Sequence, residues 1–350
     1  MFANRVHRSI LVVGTRDSGK TSFLEFLKTA LALPAKKRAK RLEEEEEPRR
    51  IPPSGNFIPE FLETEIDGER VGLTLWDSEG LEKNVVDLQL REMSQFLESK
   101  FEETFAEEMK VVRSPGIQDT HIHAVFLILD PSRLDRNLAA GRSAHANGHN
   151  GGMDPRATGA LDEDLDLQVM RTLKGKTTVI PVISKADTIT TKHMGVLKRS
   201  VWESIKKHNL DPLEPLGLDE DDASSSSSDR IDEADEDAAN DAASNDDLPI
   251  QSQEADAPLA RPQSVAQAAS EESFLPLSII SPDLYEPGVI GRQFPWGFAD
   301  PYNEEHCDFT RLKEAVFNEW RYELREASRE QWYEGWRTHR LKLRDGPYRR

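Results

Sequence analysis

The chain has 350 residues, enough for one large domain or two small ones, and a formal net charge of −19. That charge argues against nucleic acid as a partner, the single cysteine excludes an internal disulfide, and no apolar run approaches the length of a membrane span. These features predict a soluble protein in a reducing, intracellular compartment.

The first predicted strand, "SILVV" (9–13), leads directly into a loop with phosphate-binding spacing, Gly14-x-x-x-x-Gly19-Lys20-Thr21, and then into a predicted helix over 21–32. In such loops backbone N–H groups point at phosphate oxygens, the lysine reaches the outer phosphates, and the threonine hydroxyl faces Mg2+. An ordinary strand–turn–helix connection is the disfavoured alternative, because both flanking elements are readable. The residues assigned to phosphate binding are Gly14, Thr15, Arg16, Asp17, Ser18, Gly19, Lys20, Thr21 and Ser22.

A polar stretch follows the first helix. Residues 36–50, "KKRAKRLEEEEEPRR", join a basic block to an acidic block. Nuclear import and lipid binding are the alternative interpretations of the basic half. We favour a solvated loop whose opposite charges satisfy each other.

Further predicted strands alternate with helices along the rest of the chain. Asp67-Gly68 between "FLETEI" and "RVGLTLW" indicates a hairpin, so one edge of the sheet is predicted to be antiparallel. Strands covered by helices on both faces are near-continuous apolar runs, so the alternation predicts a three-layer α/β/α fold around a mixed sheet. The predicted strands are 71–76, 123–129, 177–183 and 274–280, and the predicted helices are 84–110, 162–174, 190–208 and 308–345.

Two polar segments are predicted to be disordered insertions in this single domain. Residues 139–160 are rich in Gly, Ala and Asn and lack apolar periodicity. Residues 214–273 are acidic and Ser-rich, and between Asp219 and Asp256 fifteen acidic residues face one basic residue, Arg230.

Two motifs at strand ends extend the phosphate loop to a nucleotide site. "LTLWDSEG" ends a strand at Asp77, which can hold Mg2+ through water, and Gly80 can offer its backbone N–H to a terminal phosphate. "VIPVISKAD" ends another strand, where the Lys185 stem can lie against the base and Asp187 can accept the two donors of a guanine edge. Adenine lacks that donor pair. The expected ligands are therefore GTP or GDP with Mg2+.

The order "GTRDSGKT", "WDSEG", "ISKADT" resembles the septin family of GTP-binding cytoskeletal proteins, and "GRQFPWGFADPYNEEHCDFTRLKEAV" (291–316) is similar to the septin unique element. The resemblance implies a Ras-like P-loop GTPase domain over 1–350, with the unique element and a terminal helix in 291–345. It also implies that Arg292 packs on the guanine and that Ser281 stands beside the base, where the family has glycine. Ser54 corresponds to the first-switch threonine that positions water.

The resemblance further implies a function. Septins assemble through the nucleotide side into cytoskeletal hetero-oligomers or filaments, so the expected partners are other septin-like subunits, in cytoplasmic cortical or division-site structures used in cytokinesis. The terminal helix offers a second expected interface, because Trp320, Trp332 and Trp336 exceed what one packed stripe needs; core packing of all three is the alternative. Trp296 and Phe309 are expected to be core anchors.

Departures from the family pattern predict that GTP hydrolysis is slow or absent. Glu79 stands where septins usually have proline, and it can bring a carboxylate close to the terminal phosphate. Lys174 replaces the family's trans-acting histidine. Two alternatives stay open: a monomeric or dimeric GTPase switch with real turnover, and a degenerate septin-like scaffold that binds no nucleotide.

Overall fold

A six-stranded mixed sheet forms the centre of the computed structural model, in the order β2-β3-β1-β4-β5-β6. The model describes residues 6–33, 54–66, 68–110, 120–146, 159–218, 274–283, 285–286 and 289–345. Its strands are β1 (Val6–Gly14), β2 (Ile58–Ile66), β3 (Glu69–Asp77), β4 (Ala124–Leu129), β5 (Thr178–Ile183) and β6 (Leu277–Ser278), and a separate two-stranded hairpin is formed by β7 (Arg292–Phe294) and β8 (Gly297–Ala299).

Helices separate most of the strands, as the alternating pattern predicts. The helices are α1 (Lys20–Leu31), α2 (Val86–Glu108), α3 (Pro131–Ala146), α4 (Gln168–Leu173), α5 (Thr191–Lys207), α6 (Phe309–Glu314), α7 (Arg321–Glu326) and α8 (Glu334–Asp345). Short π-helical segments precede α4 at Glu163–Leu167 and join the last three helices at Ala315–Glu319 and Ala327–Tyr333. No helix among the described residues has the length and apolar character needed to cross a membrane.

The predicted mixed sheet is confirmed. β2 pairs antiparallel with β3, with Ile66 opposite Glu69, while β1, β3, β4, β5 and β6 are parallel to one another. Parallel strands place their carboxyl ends at one edge of the sheet. The loops after β1, β3 and β5, which contain the nucleotide-site motifs, therefore meet at that edge.

The core lies on both faces of the central strands. Every residue of β4 and β5 is buried, which requires helices above and below the sheet. Phe23 of α1 contacts Phe126 of β4 edge-on, with ring centroids 5.5 Å apart. Each such fully buried side chain stabilises the fold by about 1.5–3 kcal/mol relative to exposure.

The predicted boundaries of both insertions are wrong at the ends that the structure describes. Residues 139–146 belong to α3, which runs from Pro131 to Ala146 although its last two turns have no apolar stripe. Residues 214–216 form a 3-10 turn in which Leu216 is buried. Residues 36–50, 147–158 and 219–273 lie outside the described residues. The predicted strand at 274–280 is reduced to Leu277–Ser278.

The terminal helices pack on their own domain. Trp320 is 5% exposed and contacts Phe274 at 5.0 Å between ring centroids, and Trp332 is also buried. Trp336 is half-buried against Phe101, at 5.9 Å. Core packing, the alternative, therefore explains Trp320 and Trp332, while Trp336 stays partly exposed.

The two aromatic residues assigned to the core of the unique element have different environments. Phe309 is fully buried. Trp296 is 81% exposed and stacks on Phe294 at 5.2 Å, so its assignment as a core anchor is wrong. Trp296 lies in the two-residue turn between β7 and β8, outside the six-stranded sheet.

Candidate nucleotide-binding site

The loop between β1 and α1 has the backbone of a phosphate cradle. Asp17 and Gly19 adopt left-handed conformations, with φ of 59° and 93°, which turn successive N–H groups toward the same side. Gly14 has no room for a side chain, since a Cβ would lie 2.6 Å from the Ile128 carbonyl oxygen. Lys20 Nζ donates to the Thr15 carbonyl at 2.8 Å, which holds the lysine across the loop.

The predicted base-binding segment, residues 184–187, is joined to this loop by side-chain hydrogen bonds. Ser184 Oγ donates to the Ser18 carbonyl at 2.6 Å, and Lys185 Nζ donates to the Asp17 carbonyl at 2.7 Å. Lys185 also pairs with Asp130 at 3.0 Å. Neither Asp130 nor Ser184 was predicted as a site residue, although Asp130 directly follows the buried strand β4. The phosphate loop and base segment thus form one bonded unit.

Asp187 is a buried carboxylate with one unsatisfied oxygen. Its side chain is 1% exposed, and Oδ2 accepts from Arg292 Nη1 at 2.9 Å. Oδ1 is buried and has no hydrogen-bond partner among the described residues. The family resemblance implies that Arg292 packs on the guanine; in the structure Arg292 bonds to the Asp187 carboxylate.

Ser281 lies close to the same segment. The Ile279 carbonyl, two residues earlier, accepts from Ala186 N at 3.0 Å, which fixes the chain after β6 beside Lys185 and Asp187. Ser281 itself is half-buried. The geometry therefore brings the predicted base-side residues together at one place.

Asp77 and Lys20 are near enough to affect each other's ionisation. Burial raises the pKa of Asp77, and the nearby Lys20 charge opposes that rise. Burial lowers the pKa of Lys20, and Asp77 and Asp17 oppose that fall. Asp77 Oδ1 is buried and has no hydrogen-bond partner among the described residues. Because a buried carboxylate oxygen without a partner is destabilising, a bound cation would compensate this group.

The other residue assigned to the metal, Thr21, is at the second position of α1 and is exposed. Ser22 follows it and is half-buried. A hydroxyl at the start of the helix and a carboxylate at the end of β3 are the oxygen ligands that Mg2+ accepts directly or through water. The residues present therefore fit a magnesium ion.

The segment after Asp77 packs against the phosphate loop. Leu81 N donates to the Gly14 carbonyl at 3.0 Å, and a Cβ on Gly80 would lie 2.8 Å from the Arg16 Cα. Gly80 is therefore required for this close approach. Glu79 is exposed and accepts from Asn56 Nδ2 at 3.4 Å, so in this structure its carboxylate has a partner in the loop before β2.

Ser54 and Lys174 are two further residues whose predicted roles concern GTP hydrolysis. Ser54 and Phe57 exchange backbone hydrogen bonds of 3.1 Å in a tight turn that leads into β2. Lys174 precedes β5, at the sheet edge opposite the loop after that strand, and its Nζ donates to the Asn209 carbonyl at 2.7 Å. Within one chain, Lys174 is therefore not part of the phosphate cradle.

Comparison with known proteins gives a consistent result. The septin family model matches residues 4–137 and 154–348. The chain is 26% identical over 230 residues to septin homolog spn1 of Schizosaccharomyces pombe, covering 64% of this chain and 35% of that protein. It is 24% identical to human Septin-4, covering 96% and 58%, and 22% identical to rat neuronal-specific septin-3, covering 95% and 75%.

A solved structure supports the fold assignment. The septin GTPase domain from Chlamydomonas reinhardtii superposes with a TM-score of 0.50 at 16% identity, covering 95% of this chain and 99% of that one. The chain spans about a third of the length of the S. pombe relative and somewhat more than half of the human one. Since the family model matches nearly the whole chain, this protein belongs to the septin family.

Proposed function

We propose that this chain binds GTP or GDP at the edge of the sheet where β1, β3 and β5 end. The observation that supports the proposal most strongly is the buried Asp187 carboxylate beside the phosphate loop. Leaving a buried acceptor unpaired costs about 1–3 kcal/mol, so Oδ1 gains from a ligand that donates to it. The N1–H and N2–H2 groups of guanine are such donors, and adenine has no equivalent pair.

Mg2+ accompanies the nucleotide in this proposal. Thr21 and, through water, Asp77 would hold the ion, which supplies positive charge to the phosphate oxygens. Lys20 adds a second positive charge from the loop, where the Thr15 carbonyl already holds it. Ser18 Oγ is buried without a hydrogen-bond partner among the described residues, which supports a further polar contact from the ligand.

Hydrolysis is proposed to be slow or absent. Turnover needs a residue that positions the attacking water, and the two positions concerned are poorly suited to that role. Ser54 is held in a backbone-paired turn, and Glu79 adds negative charge near the loop and is bonded to Asn56. Binding needs neither of them.

Assembly with other septin-like subunits is proposed to use the nucleotide side of the domain. The β7–β8 hairpin presents Trp296, 81% exposed, and Phe298, 43% exposed, and the same hairpin begins with Arg292, which is bonded to Asp187. Exposed aromatic side chains next to a ligand site are typical of interfaces. A terminal-helix interface is the second proposed contact, supported by the exposed Tyr322 and Leu343.

The location proposed for the assembled protein is cytoplasmic and cytoskeletal, at cortical or division-site structures. This proposal follows from the family alone.

The test is to denature the purified protein and identify the released nucleotide by chromatography. Bound GDP supports a slow GTPase, and bound GTP supports an inactive one. Lys20→Ala is the control and should purify without nucleotide while its circular dichroism spectrum stays that of the folded protein. A chain that releases ATP, or that releases nothing and fails to bind added GTP, contradicts the proposal.

A further inference from the structure

A carboxylate at the end of β4 lies beside the base-binding segment. Asp130 directly follows β4 and directly precedes α3, and its side chain is 15% exposed. Ser184 N donates to the Leu129 carbonyl at 2.9 Å, so the ends of β4 and β5 are held side by side, with Asp130 next to Lys185. β4 therefore adds a negative charge to the edge of the sheet where the nucleotide motifs meet.

Lys185 links this carboxylate to the phosphate loop. Its Nζ donates to Asp130 Oδ1 at 3.0 Å and to the Asp17 carbonyl at 2.7 Å. Arg133, one turn further along α3, bonds instead through both of its Nη groups to Asp166, at 2.7 and 2.6 Å. The direct ionic partner of Asp130 is therefore Lys185.

The two residues that Lys185 Nζ connects to each other have unusual backbones. Lys185 has a φ of 52° and Asp17 a φ of 59°, and they are two of the three non-glycine residues with positive φ in the described part of the chain. Side chains other than glycine disfavour this conformation, so surrounding contacts must hold such residues in it. The ion pair with Asp130 fixes Lys185 Nζ, and Lys185 Nζ in turn holds the Asp17 carbonyl.

We propose that Asp130 is a positioning residue, whose ion pair with Lys185 holds the base-binding segment and the phosphate loop in their binding geometry before a nucleotide arrives. The role in binding rests on the function proposed above, whereas the role in positioning is a property of the free chain. A site that is already held in its bound geometry loses less conformational entropy on binding, so its affinity is higher.

Hydrogen exchange followed by mass spectrometry, on the nucleotide-free full chain, tests the positioning. Ser18 N donates to the Thr15 carbonyl in the loop, and Ala186 N donates to the Ile279 carbonyl beside the base-binding segment. Peptides that contain these two amides should exchange about fivefold faster in Asp130→Asn, as expected for a partly exposed ion pair. Peptides of β4 and β5 should be unaffected.

A second substitution separates positioning from a general loss of stability. In Lys185→Met the same peptides should exchange faster, and adding Asp130→Asn to that variant should have no further effect, because the partner is already gone. Unchanged exchange of both peptides in Lys185→Met overturns the inference, whatever the stability of Asp130→Asn. Equal acceleration by Asp130→Asn with and without Lys185 also overturns it.

Competition with a fluorescent guanine nucleotide measures the effect on binding. Asp130→Asn should weaken GDP and GTP by the same factor, about fivefold, because Lys185 belongs to the base-binding segment that both ligands share. Asp130→Glu keeps the charge and should weaken them less. Asp135→Asn is the matched control: it makes the same change on α3, at a carboxylate that pairs with His193, and should behave as the wild type in both measurements.

The two measurements distinguish failure of this inference from failure of the proposed function. A wild-type chain that binds no guanine nucleotide, but shows the lysine-dependent change in exchange, contradicts the proposed function and retains Asp130 as the residue that positions the loop. A chain that binds GDP and GTP, with affinities and exchange unchanged in Asp130→Asn, retains the proposed function and overturns the role of Asp130. Weakening of GTP alone also overturns that role, since it would assign the effect to the terminal phosphate.

Discussion

Asp187 Oδ2 accepts from Arg292, and its other oxygen, Oδ1, is buried and has no hydrogen-bond partner among the residues that the structure describes. In the proposed complex, a guanine base would donate to a carboxylate of which one oxygen already accepts a hydrogen bond from Arg292. Arg292 is 35% exposed at its side chain, so it can remain on Oδ2 or move when the base arrives. In the proposed site, recognition of guanine and the position of the β7–β8 hairpin both depend on the Asp187 carboxylate.

Asp187→Asn is predicted to weaken GTP binding and to reduce the preference for GTP over ATP. The amide replaces one acceptor with a donor and leaves Arg292 without its charged partner. We expect the preference to fall by about a hundredfold or more, as for other buried polar mismatches. Competition of GTP and ATP for a fluorescent nucleotide measures it. Asp135→Asn, at a surface carboxylate paired with His193, is the control. An unchanged preference in Asp187→Asn would show that base recognition lies elsewhere.

Asp308 is predicted to stabilise the fold in a pH-dependent way. Burial alone would raise the pKa of Asp308, but Lys198 and the two donors of Ser278 outweigh burial and hold the pKa below its ordinary value. A lowered carboxyl pKa stabilises the folded state above the unfolded pKa, and the stabilisation is lost as pH falls through the folded pKa. Asp308→Asn should cost about 1–3 kcal/mol at pH 7.

The stability difference between Asp308→Asn and the wild type should shrink below about pH 3.9, the unfolded carboxyl pKa. Urea unfolding across the acid range measures it. Glu305→Gln, an exposed carboxylate three residues earlier, should change the free energy of unfolding by less than about 0.5 kcal/mol at pH 7. A difference for Asp308→Asn that stays constant into strong acid would mean that the ion pair contributes nothing.

Sequence patterns predicted those site residues that follow buried strands. Parallel strands end at one edge, so the residues after β1, β3 and β5 had to meet. The Asp187–Arg292 pair joins residues 105 positions apart and depends on the placement of a hairpin outside the main sheet. No local pattern reports such a contact.

At the scale of elements, tryptophan is buried in the terminal segment and exposed in the β7–β8 hairpin. Helical spacing put Trp320 on the stripe with Phe317 and Leu324, and all three are buried. The hairpin has no such periodicity, and Trp296 lies in its turn. α3 was not predicted because its second half, AAGRSAHA, has no apolar stripe. Its first half packs through the buried Leu134.

Trp320→Ala and Trp296→Ala form a matched pair at this scale. Trp320→Ala removes a 5% exposed ring that contacts Phe274, and we expect a loss of about 3–5 kcal/mol in the free energy of unfolding. Trp296→Ala removes an 81% exposed ring and should cost less than about 0.5 kcal/mol. Urea unfolding monitored by circular dichroism measures both. Equal losses would contradict the assignment of the two rings to core and surface.

For the whole molecule, the acidic segment is predicted to be dispensable for folding. Residues 219–270 contain no apolar periodic segment, and the entropy of closing a loop changes slowly with its length. A chain that lacks residues 219–270 should unfold within a few degrees of the full chain in differential scanning calorimetry. Deletion of the buried 160–165 segment, which includes Leu161, is the destabilising comparison. A large fall in Tm for the first deletion would show that the acidic segment packs.

The molecule as a whole is proposed to bind GTP well and to hydrolyse it poorly, as a subunit that assembles. Single-turnover GTP hydrolysis, at protein concentrations below and above assembly, tests this most directly. We predict intact binding with a dilute-protein rate no greater than the intrinsic rate of an unassisted GTPase, about 3–5 × 10⁻⁴ per second. Dilute monomer that turns GTP over near the rate of an activated GTPase, about 5–20 per second, would contradict it.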